Sequence, residues 1–531
     1  MKIWTRPATV ALGMTTLCCL VLIGPFITPS HLNLYHFKNS ISPLVLGILL
    51  NVFALWLMLT GLFVWAQKPG WPRIFIWSAL TLSIPLILLK NYAALGLWTI
   101  PHQLSVSVFA GTVIALISLL LLFSKRPALL VFFERIQHFI ATMLGFVALF
   151  GLFVLGQMLW FVWRAHLFNV PQRLHQSQTV SSIQRPKTRV IWLLLDELSY
   201  QQVYEQRFPG LKLDAFDQLA AQSTVFTHVV PTARTTEIAV PSLMTGVPVD
   251  RVSASSSNGL LSLHNAKTNR WQPFDPHQTI FQDALTEGYS TGVAGWYNPY
   301  CRILPSVLDR CFWTNNTFPI EPGLHAGRPF AEVLPVPAFR IYDAAKSLLR
   351  GRTQDTRYTD LEANLHIADF NNIFRAAERL FEDPSIDFIF LHVPAPHPGG
   401  IYDRKTSSFT THNASYIDNL ALADKSVFHI RDLLEKNGTW DSSAIVVMGD
   451  HSWRTWVWSD SLAWTAEDEA ASHGGQFDDR PGYIVKLPHQ QKPARIDDQF
   501  EAVRTRALLD GIITNRIKTP EDLAAWARQP N

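Results

Sequence analysis

Long apolar runs crowd the first third of the chain. At roughly 9–28, 42–66, 73–90, 104–124 and 138–162 the sequence stays apolar for the ~20 residues that a membrane-crossing helix needs. The third run is the shortest, with a re-entrant segment as its alternative reading. The first has no small-residue cleavage site after its core, so it reads as an anchor and not a removed signal peptide. Trp160, Phe161 and Trp163 end the fifth run in the manner of an interfacial aromatic belt.

Beyond a polar, linker-like stretch at 166–188 the pattern changes. "RVIWLLLDE", "IDFIFLHV" and "SAIVVMGD" are short, wholly apolar runs that end in polar residues, as buried strands do. "TVFTHVV", "STGVAGW" and "GYIVKLP" read as further strands. Helical patterns lie between them, at about 360–382 and 416–436 and in "TIFQDALTEG", which Gly288 stops; 499–512 and 519–528 follow at the end. Alternating strands and helices predict a mostly parallel sheet covered on both faces. The expected organisation is a five-helix transmembrane bundle over 1–165, a linker over 166–188, and an α/β domain over 189–531.

Charge refines this picture. A net charge of +3 over 531 residues excludes an electrostatic nucleic-acid binder. Lys2 and Arg6 precede the first run; Lys68, Arg73, Lys125, Arg126 and Arg135 fill the second and fourth loops; only Lys38 and Lys90 mark the others. By the positive-inside rule the N-terminus is cytoplasmic, and five spans put the α/β domain on the periplasmic or extracellular side of the inner membrane. Cys301 and Cys311 would then sit in an oxidising compartment and are expected to pair.

In open α/β sheets, ligands bind beyond the carboxyl ends of the strands. Those ends carry Asp196-Glu197, His392 followed by His397, and Asp450-His451. Carboxylates and imidazole together suit a divalent metal, Zn or Mn, which can turn a hydroxyl into a nucleophile. Thr235 and Thr236, in "RTTEIAVPSLMTG", stand where turn chemistry would supply Gly, Pro, Asn or Asp. A helix starting there would aim free N–H groups at an anion.

Taken in order, "VIWLLLDE", a Thr nine positions before Thr245-Gly246, "FLHVPAPHPGG", "VVMGDHSWR" and "DDRPGYIVKLP" resemble the alkaline phosphatase superfamily in its sulfatase-like branch, over about 189–490. The resemblance implies an alkaline-phosphatase/sulfatase-like α/β fold. It implies Thr236 as nucleophile and metal ligand, with Thr235 as the alternative one residue away. Asp196, Glu197, Asp450 and His451 become metal ligands, and His392, His397 and His473 substrate contacts.

True sulfatases place an oxidisable Cys or Ser where this chain has Thr236. Five spans ahead of one outer domain resemble membrane-anchored phosphoethanolamine transferases and lipoteichoic acid synthases. The expectation is a transferase that takes a phospho-headgroup from a membrane phospholipid, holds it on threonine, and passes it to a glycan or lipid acceptor. The alternatives are a sulfatase-like hydrolase or phosphodiesterase using the same site, and a non-catalytic envelope-binding protein.

Overall fold

The computed structural model describes residues 2–23, 36, 38, 41–94, 111, 114, 115, 118, 128–168, 174, 175, 188–254, 261–317, 319–321, 324, 325, 327–339, 356–459, 461 and 463–529. It divides into two compact units. The first comprises Met1–Asn33, Asn39–Asn169 and Pro319–Asp355; the second comprises Leu34–Lys38, Val170–Phe318 and Thr356–Asn531. The division by contacts thus assigns two segments, 34–38 and 319–355, differently from a single boundary near 165.

Among the described residues, four long helices build the first unit: α1 (Lys2–Ile23), α2 (Ser42–Trp65), α3 (Trp71–Ala94) and α4 (Ala128–Phe168). Ser42–Trp65, Trp71–Leu88 and Val131–Trp160 are long and apolar enough to cross a membrane. The expected 104–124 span lies almost entirely outside the described residues. Val10, Met14, Phe63, Trp77 and Leu144 form the shared core. Gly13 lets α1 approach α4 closely, since a Cβ there would lie 2.0 Å from the Leu144 carbonyl oxygen. On the outside, α4 exposes Phe139, Phe146 and Phe153, seven residues apart along one face. Such a greasy face belongs against another apolar surface, as lipid provides.

An eight-stranded sheet organises the second unit: β1 (Val190–Leu195), β2 (Thr224–Phe226), β3 (Thr291–Trp296), β4 (Arg310–Thr314), β5 (Phe388–Val393), β6 (Ala444–Met448), β7 (Tyr483–Lys486) and β8 (Ala494–Ile496). Their order is β8-β2-β7-β6-β1-β5-β3-β4. Only β7 runs against its neighbours. The expected strand "TVFTHVV" is split. Val229–Val230 leaves the sheet to pair with Phe500–Glu501.

Both faces of the central strands are apolar because both are covered. Ile191, Leu193, Ile389 and Leu391 belong to one large core with Ile373, Ala377 and Leu380 of α6 (Thr356–Glu382) and Leu420, Ala423 and Val427 of α7 (Tyr416–Lys436). Trp192 and Phe390 alternate with these, and Phe281 packs on Phe390 and Phe388. The helix between β2 and β3 that matters for chemistry is α5 (Thr236–Thr245). Cys301 and Cys311 are disulfide-bonded, tying β4 to the short helix after β3.

Candidate active site

Register brings the polar strand ends together. Leu194 of β1 is opposite His392 on β5 and Met448 on β6, so Asp196, His392 and Asp450-His451 share the carboxyl edge of the sheet. All four are buried. They stay polar at a buried position because they partner one another. Asp450 Oδ1 accepts from the backbone N–H groups of His451 (2.9 Å) and Glu197 (3.2 Å). His451 Nε2 lies 3.2 Å from Asp450 Oδ2.

Thr236 enters from the side. Thr235 is extended (φ −142°, ψ 138°) and caps α5, so Thr236 is its first helical residue. The helix closes on Gly246, whose φ of 69° suits glycine at a C-cap. Thr236 is 6% exposed. Its hydroxyl donates to Asp196 Oδ2 at 3.3 Å and lies 3.4 Å from His451 Nε2. Thr235 Oγ1 is buried without a hydrogen-bond partner among the described residues. Of the two threonines, Thr236 is the one that meets the acids.

His392 backs the same group. Its Nε2 lies 3.3 Å from Asp196 Oδ2, and the Tyr300 hydroxyl meets its Nδ1 at 2.7 Å. Gly295, opposite His392 on β3, makes room for that tyrosine: a Cβ there would lie 2.3 Å from Tyr300 Cε2. Sequence reasoning missed Tyr300, and nothing in its local sequence pointed to it. Burial pushes His392 down to about 4, so its imidazole is neutral at neutral pH. Burial first, then the Asp450 and Glu197 carboxylates, raises Asp196 well above the usual carboxylate range. Burial opposes charge on Asp450 as well, but His451 and His392 beside it hold it low.

Glu197 stands elsewhere. Its φ of 63° turns the chain so that its carboxylate points away from Thr236's partners to Arg454 and Trp458. Arg454 donates from its backbone N–H to Oε2 (3.0 Å) and from Nε to Oε1 (2.8 Å), with its Nη2 on Oε1 as well. Trp458 Nε1 adds a fourth donor at 3.1 Å. The carboxylate expected to bind metal is thus filled by an arginine. His397 is 4.0 Å from Glu197 Oε1 and packs edge-on against Trp296 and Trp458. His473 is exposed, with φ 51°, and joins none of these contacts.

Two oxygens decide whether a metal fits. Asp196 Oδ1 is buried with no hydrogen-bond partner among the described residues, and the equally buried Asp450 Oδ2 faces His451 Nε2 at 3.2 Å without a hydrogen bond of good geometry. Leaving such atoms bare is costly unless a cation meets them. Asp196, Asp450 and His451 present ligand atoms within 4.8 Å of one another. Two carboxylates, an imidazole and the adjacent Thr236 hydroxyl form a donor set for Zn or Mn. Asp196, Glu197 and His397 make a second cluster of that size, but Arg454 occupies its glutamate.

Residues 190–522 match the family described as type I phosphodiesterase / nucleotide pyrophosphatase. A search of curated protein sequences found no match. Among solved structures, the chain is similar to Ps i-CgsB (17% identity, TM-score 0.38, covering 64% of this chain and 74% of that one). It is similar also to the lipoteichoic acid synthase LtaP from Listeria monocytogenes (14%, TM-score 0.36, 63% and 73%). A third is the PsFucS1 sulfatase from Pseudoalteromonas sp. (14%, TM-score 0.38, 62% and 69%). With a family match over more than half its length and a buried Thr-Asp-Asp-His centre at the sheet's carboxyl edge, the chain belongs to the type I phosphodiesterase / nucleotide pyrophosphatase family.

Proposed function

We propose that this enzyme is a membrane-anchored, metal-dependent transferase. It moves a phosphoethanolamine- or phosphoglycerol-like headgroup from a membrane phospholipid to a glycan or lipid of the cell envelope. The observation that carries this reading is the Thr236 hydroxyl, at the first position of α5 and within hydrogen-bond reach of Asp196.

Thr236 Oγ1 attacks the phosphorus of the donor, forming a P–O bond as the bond to the diacylglycerol oxygen breaks. The hydroxyl proton has a hydrogen-bonded route to Asp196 Oδ2. The leaving oxygen takes up a proton and departs as diacylglycerol. An acceptor hydroxyl then attacks the phosphothreonine, gives up its proton, and restores Thr236. Free N–H groups in the first turn of α5 favour the negative charge of the phosphoryl oxygens. His392, neutral and held by Tyr300, keeps Asp196 oriented toward Thr236. Asp196, Asp450 and His451, with Thr236, would hold the divalent ion, which when bound lowers the hydroxyl's pKa and offsets charge on the phosphoryl group.

Apolar helices supply the anchor, and the Cys301–Cys311 bond supports an oxidising, extracytoplasmic location for the catalytic unit. The family's description favours a second reading, phosphodiester hydrolysis at the same site with water as acceptor. Incubating the full-length protein with labelled phosphatidylethanolamine or phosphatidylglycerol, with and without envelope glycolipid, separates the two. Transfer predicts diacylglycerol release that rises with acceptor and label that ends on the glycolipid. Label found only as free phosphoethanolamine or glycerol phosphate, whatever the acceptor, would establish the hydrolase.

A further inference from the structure

One end of the helical unit holds a cavity of about 300 Å³ that the catalytic reading does not use. It lies where the start of α1, the end of α2, the start of α3 and the first part of α4 meet. Its polar side carries Arg6, Arg73, Gln137 and His138. Its back wall is apolar, from Val10, Phe63 and Trp77. We propose that this cavity binds the anionic headgroup of a membrane phospholipid, in the leaflet that meets this end of the helices.

The charge in it is unbalanced. Arg73 reaches Glu134 at 3.2 Å and Gln137 at 3.0 Å, so one carboxylate answers one guanidinium. Arg6 contacts His138 Nδ1 at 3.1 Å and has no acidic partner among the described residues. A guanidinium set against imidazole and carboxamide groups leaves N–H donors for a phosphate, which arginine binds in a forked geometry. An apolar wall beneath a cationic rim fits an amphiphile better than a free anion.

Membrane depth points the same way. Trp65, Trp71 and Phe75, at the α2–α3 turn beside the cavity, are exposed and pack in series, with ring centroids 5.7 and 6.5 Å apart. Exposed tryptophans mark the level of lipid headgroups. Lys68 in the same turn is exposed too and adds to the basic character of that end. Basic pockets between spanning helices at this depth are where anionic headgroups lodge. The inference rests on the helices crossing a membrane and goes beyond the proposed transfer reaction.

The test uses the full-length protein in nanodiscs of equal parts phosphatidylcholine and phosphatidylglycerol, released into native mass spectrometry. The wild type should retain phosphatidylglycerol over phosphatidylcholine. Retention should fall about fivefold for each arginine removed in Arg6→Gln and Arg73→Gln. Arg6→Lys/Arg73→Lys, which keeps the charge, should hold on to the lipid and controls for folding. Equal retention by the wild type and the double Gln variant would overturn the proposal. Displacement of the lipid by free glycerol 3-phosphate at matched concentration would also overturn it, in favour of a soluble anion. Alkaline carbonate extraction separates the underlying reading: a chain released to the soluble fraction contradicts membrane crossing itself, whereas a chain kept in the pellet leaves the lipid result to stand alone.

Discussion

Glu197, buried one residue beyond Asp196, forms an ion pair with the partly buried Arg454, which binds it through both its backbone N–H and its guanidinium. The pair fixes the loop after β6, and therefore His451, relative to the end of β1. It also accounts for an acid doublet of which a single member faces the threonine.

Breaking the pair on one side leaves a buried charge alone, a loss of about 3–5 kcal/mol. Arg454→Met should therefore lower stability by that order. Glu197→Gln/Arg454→Met should recover much of it, measured as a double-mutant cycle by denaturant unfolding of the full chain in detergent. Metal content should survive Glu197→Gln. Loss of metal in that variant would show that Glu197 is a ligand after all.

Asp196 Oδ1 and Asp450 Oδ2 predict the opposite behaviour for the other acids. Asp450→Asn and His451→Ala should each strip the divalent ion, seen by elemental analysis of the purified protein. Chelation of the wild type should lower its melting temperature, because an ion present at a hundred times its Kd stabilises the folded state by about 2.7 kcal/mol. An equal melting temperature with and without chelator, at full activity, would contradict a metal centre here.

Much of this was legible in the sequence. Buried strands read as unbroken apolar runs, and the acids and histidines at their ends stood out because charge is rare there. Asp196, Asp450 and His451 followed from that rule alone, and the α/β order of the second unit followed from the alternation. Contacts made across many residues were not legible. Tyr300 reaches His392 over 92 positions and depends on Gly295 having no side chain. The reversal of β7 leaves no mark in a strand four residues long. The Arg454 partner of Glu197 was not legible, because an acid doublet looks the same whether its second member faces a metal or an arginine. His473 sits in a histidine-glycine turn that resembles a site motif, yet its side chain faces outward.

The four tryptophans that follow Asp450-His451 divide between core and surface. Trp453 is core, stacked on Tyr416 at 4.2 Å, and Trp464 packs on Trp453. Trp458 holds Glu197. Trp456 is 56% exposed beside exposed Val457 and remains the candidate for lipid contact. Trp456→Ser should raise KM for a phospholipid donor several-fold while leaving a small soluble phosphodiester unaffected and the melting temperature unchanged. An equal effect on both substrates would remove lipid contact from its role.

The hydroxyl of Thr236 carries the account, and peptide-level mass spectrometry of the full-length protein, acid-quenched straight from its native membrane, tests it most directly. The account predicts a phosphoethanolamine or phosphoglycerol adduct on the peptide spanning Arg234–Gly246, assigned by fragmentation to Thr236. That adduct should be absent in Thr236→Ala, whose turnover falls by about a thousandfold or more, and present in Thr235→Ala. An adduct on any other residue, or Thr236→Ala turning over at the wild-type rate, would contradict it.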